Sequence, residues 1–266
     1  MAQATAEKLS DKVFKNNPTM ELELSKGERR VIMSYMYVVV ASLLIGGTMG
    51  LLQVLVRSGE FELPWGISYY TILTVHGVVL ALVMTTFFII GFQNALMGKT
   101  IGFTKGQLKW AWVGYWVSLI GTVMAAVTIL TGKAAVLYTF YAPLKGHPAF
   151  YIGITLVVVG TWISGFVNFN QFYKWKKANP DTKSPLLAFM VVINMAMWFI
   201  ATLGVATAML VQFIPWSLGF KNTINVLLSR TLFWYFGHPL VYFWLLPAYM
   251  AWYAIIPRII GGKIFS

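Results

Sequence analysis

Apolar residues in this chain come in long unbroken blocks, over roughly 31–56, 67–96, 110–130, 149–173, 185–214 and 231–256, and no Asp, Glu, Lys or Arg interrupts any of them. A bilayer core takes about 20 such residues per helix. Inside it every backbone N–H and C=O must be paired within the segment, which selects helices. The pattern therefore predicts an all-α, polytopic membrane helix bundle of about six transmembrane helices. Blocks longer than the minimum imply tilted helices or ends that protrude from the hydrocarbon. Short connections predict antiparallel sequential neighbours in one bundle. The expected organisation is a hydrophilic N-terminal tail over 1–30, a six-helix transmembrane region over 31–260 and a short cytoplasmic end at 261–266.

Composition supports this and removes other classes. The chain is 58% apolar and 11% charged, against about 25% charged in soluble domains, so a soluble globular protein is excluded. Its formal charge of +12 would raise nucleic-acid binding in a soluble chain, but the basic residues sort by loop. The tail and every second connection hold fifteen Lys and Arg, the remaining connections five. That asymmetry predicts both termini in the cytoplasm and no nucleic-acid partner. There is no cysteine, hence no disulfide, thiolate site or cysteine nucleophile. Residues 1–30 carry six basic residues and no apolar stretch resembling a secretory signal,.

With charges absent from the spans, chemistry at depth must rest on His, Tyr, Thr, Ser, Asn or Gln. His147 lies in a loop, whereas His76 and His238 lie within spans. An ionisable residue in a membrane span demands a partner and is a functional candidate. His76, followed by Gly77, reads equally as a neutral histidine bonded to a neighbouring helix and as an axial haem ligand. His238 has more company. Pro239 lacks an N–H and its ring opposes the Tyr235 carbonyl, which predicts a distorted helix there. At 100° per residue, Thr231, Tyr235, His238, Tyr242, Tyr249 and Tyr253 fall within roughly 60° of one face. Tyr253 reads equally as an interfacial aromatic and as a proton-path hydroxyl. Gly46 and Gly50 form a spacing that permits close helix approach, and His147 reads as an exposed structural loop residue.

The run from Thr231 through Gly237-His238-Pro239-Leu240-Val241-Tyr242 to Tyr249 resembles the signature of haem-copper terminal oxidase subunit I, in particular its B-type branch. The resemblance continues through Thr74-Val75-His76-Gly77, the loop from Val136 to Tyr141 with Gly146-His147, and Lys176-Lys177-Ala178-Asn179-Pro180. It implies that His76 is an axial ligand of the low-spin haem. It implies that His238 ligates the copper facing the high-spin haem, with Tyr242 covalently joined to His238. It further implies reduction of oxygen to water, electrons from cytochrome c through a subunit II with its own copper entry site, and cytoplasmic protons rising along Tyr253, Tyr249 and Tyr242. The setting is a bacterial or archaeal plasma membrane.

Two departures qualify the resemblance. Many A-type members carry Glu directly after His-Pro, where this chain has Leu240, which favours a B-type hydroxyl path. The family also has about twelve helices and six histidine ligands, of which only His76 and His238 are here. The resemblance therefore implies the N-terminal half of subunit I, incompetent alone and partnered by a missing C-terminal half. A non-catalytic haem-carrying or degenerate membrane subunit of the same fold is the alternative.

Overall fold

A computed structural model describes residues 22–261. Most of the expected tail and all but the first residue of the expected cytoplasmic end lie outside the described residues. Six long helices follow in order, α1 (Lys26–Arg57), α2 (Tyr69–Thr100), α3 (Lys105–Leu130), α4 (Pro148–Ala178), α5 (Leu186–Ser217) and α6 (Val226–Ile260). All six are long and apolar enough to cross a membrane, and no strand occurs among the described residues. The side on which α1 begins is called the near side.

Each helix covers one apolar block, and several overshoot it for local reasons. α1 starts five residues before its block because Ser25 and Glu28 close a capping box. Glu28 N–H donates to Ser25 Oγ (3.3 Å) and Ser25 N–H to Glu28 Oε2 (2.7 Å). The same device, Thr104 with Gln107, starts α3 early. Both satisfy N–H groups that the first turn leaves free. α4 runs on through Lys174, Lys176 and Lys177, cations that suit the negative end of the helix dipole. Glu28 Oε1 also accepts from Phe103 N–H (2.8 Å), tying α1 to the α2–α3 turn.

The closest helix pair is α3 with α4, where backbones touch. A Cβ on Gly160 would lie 2.6 Å from the Gly114 carbonyl oxygen, one on Gly153 would lie 2.7 Å from that of Gly121, and one on Gly121 would overlap the Gly153 carbonyl. Without a hydrophobic force between helices in lipid, such close packing supplies the association. α5 and α6 join through aromatic rings, Trp198 stacking on Phe243 with centroids 4.0 Å apart. The buried face of α6 reads Phe233, Phe236, Leu240, Phe243, Met250 and Ala254.

Two helices are not regular. α2 widens to a π-segment at Val78–Met84, immediately after His76 and Gly77, and α5 does so at Ala208–Phe213. The distortion expected at Pro239 is not where the irregularity falls. α6 stays α-helical through Pro239, Pro247 and Pro257. Each proline deletes one hydrogen bond, and the pairs flanking it hold the helical path.

The α3–α4 contact predicts that Gly121→Leu lowers the stability of the detergent-solubilised protein by about 1–3 kcal/mol or more, as overpacking does. Thermal unfolding reads this directly, and an unchanged midpoint would contradict the backbone contact.

Candidate functional site

His76 sits on α2 two residues before the π-segment, a kind of irregularity common at functional sites. Its Nδ1 lies 2.8 Å from the carbonyl oxygen of Gly46 on α1. A carbonyl can only accept, so Nδ1 carries a proton, and in the neutral ring the lone pair is on Nε2,. That is the arrangement in which an imidazole binds a metal while its other nitrogen is oriented by a backbone carbonyl. Gly50 makes room for the ring, since a Cβ there would lie 2.8 Å from both Cε1 and Nδ1 of His76. The Gly46 and Gly50 spacing, which reads in the sequence as simple packing, therefore serves the histidine as an acceptor and as space.

On α6 the residues divide between two faces. Thr231, Tyr235, His238, Tyr242, Tyr249 and Tyr253 are all exposed on the outside of the six-helix bundle. Tyr242 is 47% exposed and Tyr253 51%, values far above those of the buried phenylalanines on the opposite face. The rings of His238 and Tyr242 meet edge-on, centroids 4.8 Å apart. Leu240, between them in sequence, points the other way into the core and is 5% exposed. The stripe thus forms an open wall carrying one imidazole and a ladder of phenols. His76 Nε2 and the exposed imidazole of His238 are groups of the kind that can ligate a metal. Among the described residues no cluster of three or more His, Asp or Glu forms.

The loop between α3 and α4 connects the two histidine helices. Leu137 N–H donates to Thr74 Oγ1 on α2 (2.9 Å), and Tyr138 packs against Gly77, where a Cβ would lie 2.7 Å from the tyrosine Cβ. Two residues on from Tyr138, Phe140 is fully buried with its ring 5.1 Å from Phe233 of α6, and Tyr141 touches the same ring at 5.4 Å. Leu137 and Phe140 adopt positive φ, 63° and 37°, a conformation that surrounding contacts must hold in place. His147, read as a loop residue, caps α4, its Nδ1 accepting from Ala149 N–H (3.2 Å).

Sequence reasoning missed a polar interior. Tyr35 OH meets Ser164 Oγ (3.1 Å), Trp198 Nε1 donates to Thr161 Oγ1 (2.8 Å) and Trp162 Nε1 to Thr202 Oγ1 (2.7 Å). Gln93, Asn94, Asn168 and Asn194 are fully buried, with side-chain amides unpaired among the described residues. The signal was the presence of carboxamides inside charge-free spans, which carry no period and so did not point to one another.

The family model described as Cytochrome C and Quinol oxidase polypeptide I matches residues 30–266. Cytochrome c oxidase subunit 1 of Thermus thermophilus is 38% identical over 247 residues, which are 90% of this chain and 44% of that protein. The heme-copper oxidase subunit I+III of Aeropyrum pernix is 28% identical over 254 residues, covering 87% of this chain and 31% of it. A solved heme-copper terminal oxidase dimer superposes with a TM-score of 0.83 at 43% identity, covering 89% of this chain and 41% of that one. The chain spans less than half the length of each.

The loop contact gives a local prediction. Thr74→Val removes the acceptor for Leu137 N–H and should cost about 1–3 kcal/mol at that buried group. Amide exchange should accelerate over 136–141 while the helices keep their protection; unchanged exchange there would show that the hydroxyl does not hold the loop.

Proposed function

We propose, because the chain belongs to the cytochrome c and quinol oxidase polypeptide I family, that it supplies the N-terminal half of the catalytic subunit of a B-type cytochrome c oxidase. The observation that carries the proposal is the open polar wall of α6. His238 and Tyr242 stand together on it, outside the core that the six helices build. A polar stripe facing hydrocarbon would be costly, so the wall calls for a protein partner, and further helices of the same subunit fit that need. In this reading the region 31–260 is one half of the subunit's membrane domain, and 1–30 and 261–266 face the cytoplasm.

In this reading His76 holds the low-spin haem through Nε2, while the hydrogen bond to Gly46 fixes the orientation of the ring. His238 is one imidazole of the copper site beside the high-spin haem, and Tyr242 is the phenol that becomes joined to it. When bound, these groups supply the electron transfer and oxygen reduction to water that no side chain of this chain could perform. Tyr242 holds a proton at its phenolic oxygen within reach of that site. Tyr249 and Tyr253 continue the hydroxyls along the stripe toward the cytoplasm, where the proton supply lies. Leu240 supports the B-type assignment, because a buried leucine follows His-Pro at the position where a carboxylate would serve another route. Subunit II, cytochrome c and oxygen are the partners of the assembled enzyme, in a bacterial or archaeal plasma membrane.

In the complete enzyme, His238→Ala should abolish oxygen consumption and leave the low-spin haem spectrum intact. Normal turnover would refute the copper role. Gly50→Val should displace the His76 ring and alter the low-spin haem band, and an unchanged band would remove His76 from that haem. Tyr249→Phe and Tyr253→Phe should slow proton-limited steps while metal content stays native. Unchanged proton uptake would return both residues to the interfacial belt.

A further inference from the structure

Away from the histidines, on the near side of their glycine contact, α3 and α4 line a groove of about 480 Å³. Its lining changes character along its length. On α4, Lys174 and Asn170 stand at the mouth, with Phe166 and Ile163 deeper. These residues recur every three or four positions, so they share one face. Eleven residues separate Lys174 from Ile163, about 16 Å of helix at 1.5 Å per residue. On α3 the order is the same, Thr104 and Gln107 at the mouth and Trp110 below them. Gln107 Nε2 donates to Asn170 Oδ1 (2.9 Å), which bridges the two helices where the polar and apolar parts meet. Trp110 and Phe166 expose 58% and 61% of their surface, an apolar lining left uncovered by this chain.

We infer that this groove binds an anionic phospholipid, its phosphate at Lys174 and one acyl chain along Trp110, Phe166 and Ile163. Charge selects the class of lipid. Residues 99–109 and 170–178 contain Lys99, Lys105, Lys109, Lys174, Lys176 and Lys177 and no Asp or Glu. Basic pockets between transmembrane helices at a membrane surface are where anionic headgroups lodge. Lys176 is already engaged, its Nζ donating to the carbonyls of Pro180 (3.0 Å) and Thr182 (2.7 Å). Lys174 is exposed at the groove mouth. The apolar depth suits an acyl chain, and the hydroxyl and amides of Thr104, Gln107 and Asn170 suit the ester and glycerol level between. The inference is independent of the oxidase reading, since it uses neither histidine nor any cofactor.

The test uses the native complex reconstituted in phosphatidylcholine vesicles containing brominated phosphatidylglycerol or, separately, brominated phosphatidylcholine. The contribution of Trp110 to fluorescence is the difference between the native protein and Trp110→Phe. Brominated phosphatidylglycerol should quench that contribution at a several-fold lower mole fraction than brominated phosphatidylcholine. Lys174→Glu should remove the preference, whereas Lys177→Glu, a charge change on the exposed helix end, should leave it. Equal quenching by the two lipids would overturn the inference. So would loss of the preference in both variants, which would indicate only a diffuse surface charge. Absence of quenching by either lipid would also overturn it, because a protein partner would then cover the groove.

Discussion

A polar group taken into hydrocarbon without a partner costs several kcal/mol, and most placements in this bundle follow from that cost. It forces the backbone into six helices and keeps charge at their ends. It favours a specific neighbour for internal polar atoms, as Tyr35 finds Ser164 and Trp198 finds Thr161. It also bears on His76, whose Nδ1 is met by a carbonyl from the adjacent helix. The ring is fixed by the requirement that would otherwise exclude it. Because lipid offers no hydrophobic drive for helices to associate, the glycine contact of α3 with α4 and the aromatic contacts of α5 with α6 provide the cohesion that holds these pairs in register.

The same cost explains why α6 is informative. Its inner face is built of Phe236, Leu240, Phe243 and Met250, and nothing about that face is unusual for a membrane helix. The outer face carries an imidazole and four phenols where a lipid-facing surface would carry leucine and valine. The six helices cover one face of α6 and leave the other uncovered. This asymmetry agrees with the coverage of known relatives, each more than twice as long as the matched region.

The number of spans and the α6 stripe were legible in the sequence. Unbroken apolar blocks leave little freedom, and α6 remains α-helical throughout, so an angle of 100° per residue places Thr231 and Tyr253 correctly on one face. The service of Gly46 and Gly50 to His76 was not legible, because it joins residues 30 positions apart through a carbonyl that every residue possesses. Nor was the loop from Val136 to Tyr141, whose hold on α2 and α6 depends on two residues with positive φ that local sequence does not favour. The capping boxes at Ser25 and Thr104 were written plainly, yet reading by apolar block alone passes over them and begins both helices late. The buried carboxamides were visible one by one, but their full burial is a property of packing.

The π-segment in α2 has a consequence for how such chains diverge. A wide turn of this kind amounts to one residue added to an α-helix, and it separates His76 from the lower half of the same span. A single-residue deletion between Val78 and Met84 would restore the regular helix and leave both halves on their present faces, whereas substitutions that straightened the wide turn at constant length would rotate the upper half by about 100° relative to the lower. Length, hydropathy and charge would scarcely change, and the segment would still insert and span. The imidazole would nevertheless turn away from the Gly46 carbonyl. Two sequences nearly identical by every measure of a membrane helix could then differ in whether that histidine is held, and no gap in an alignment would record the difference.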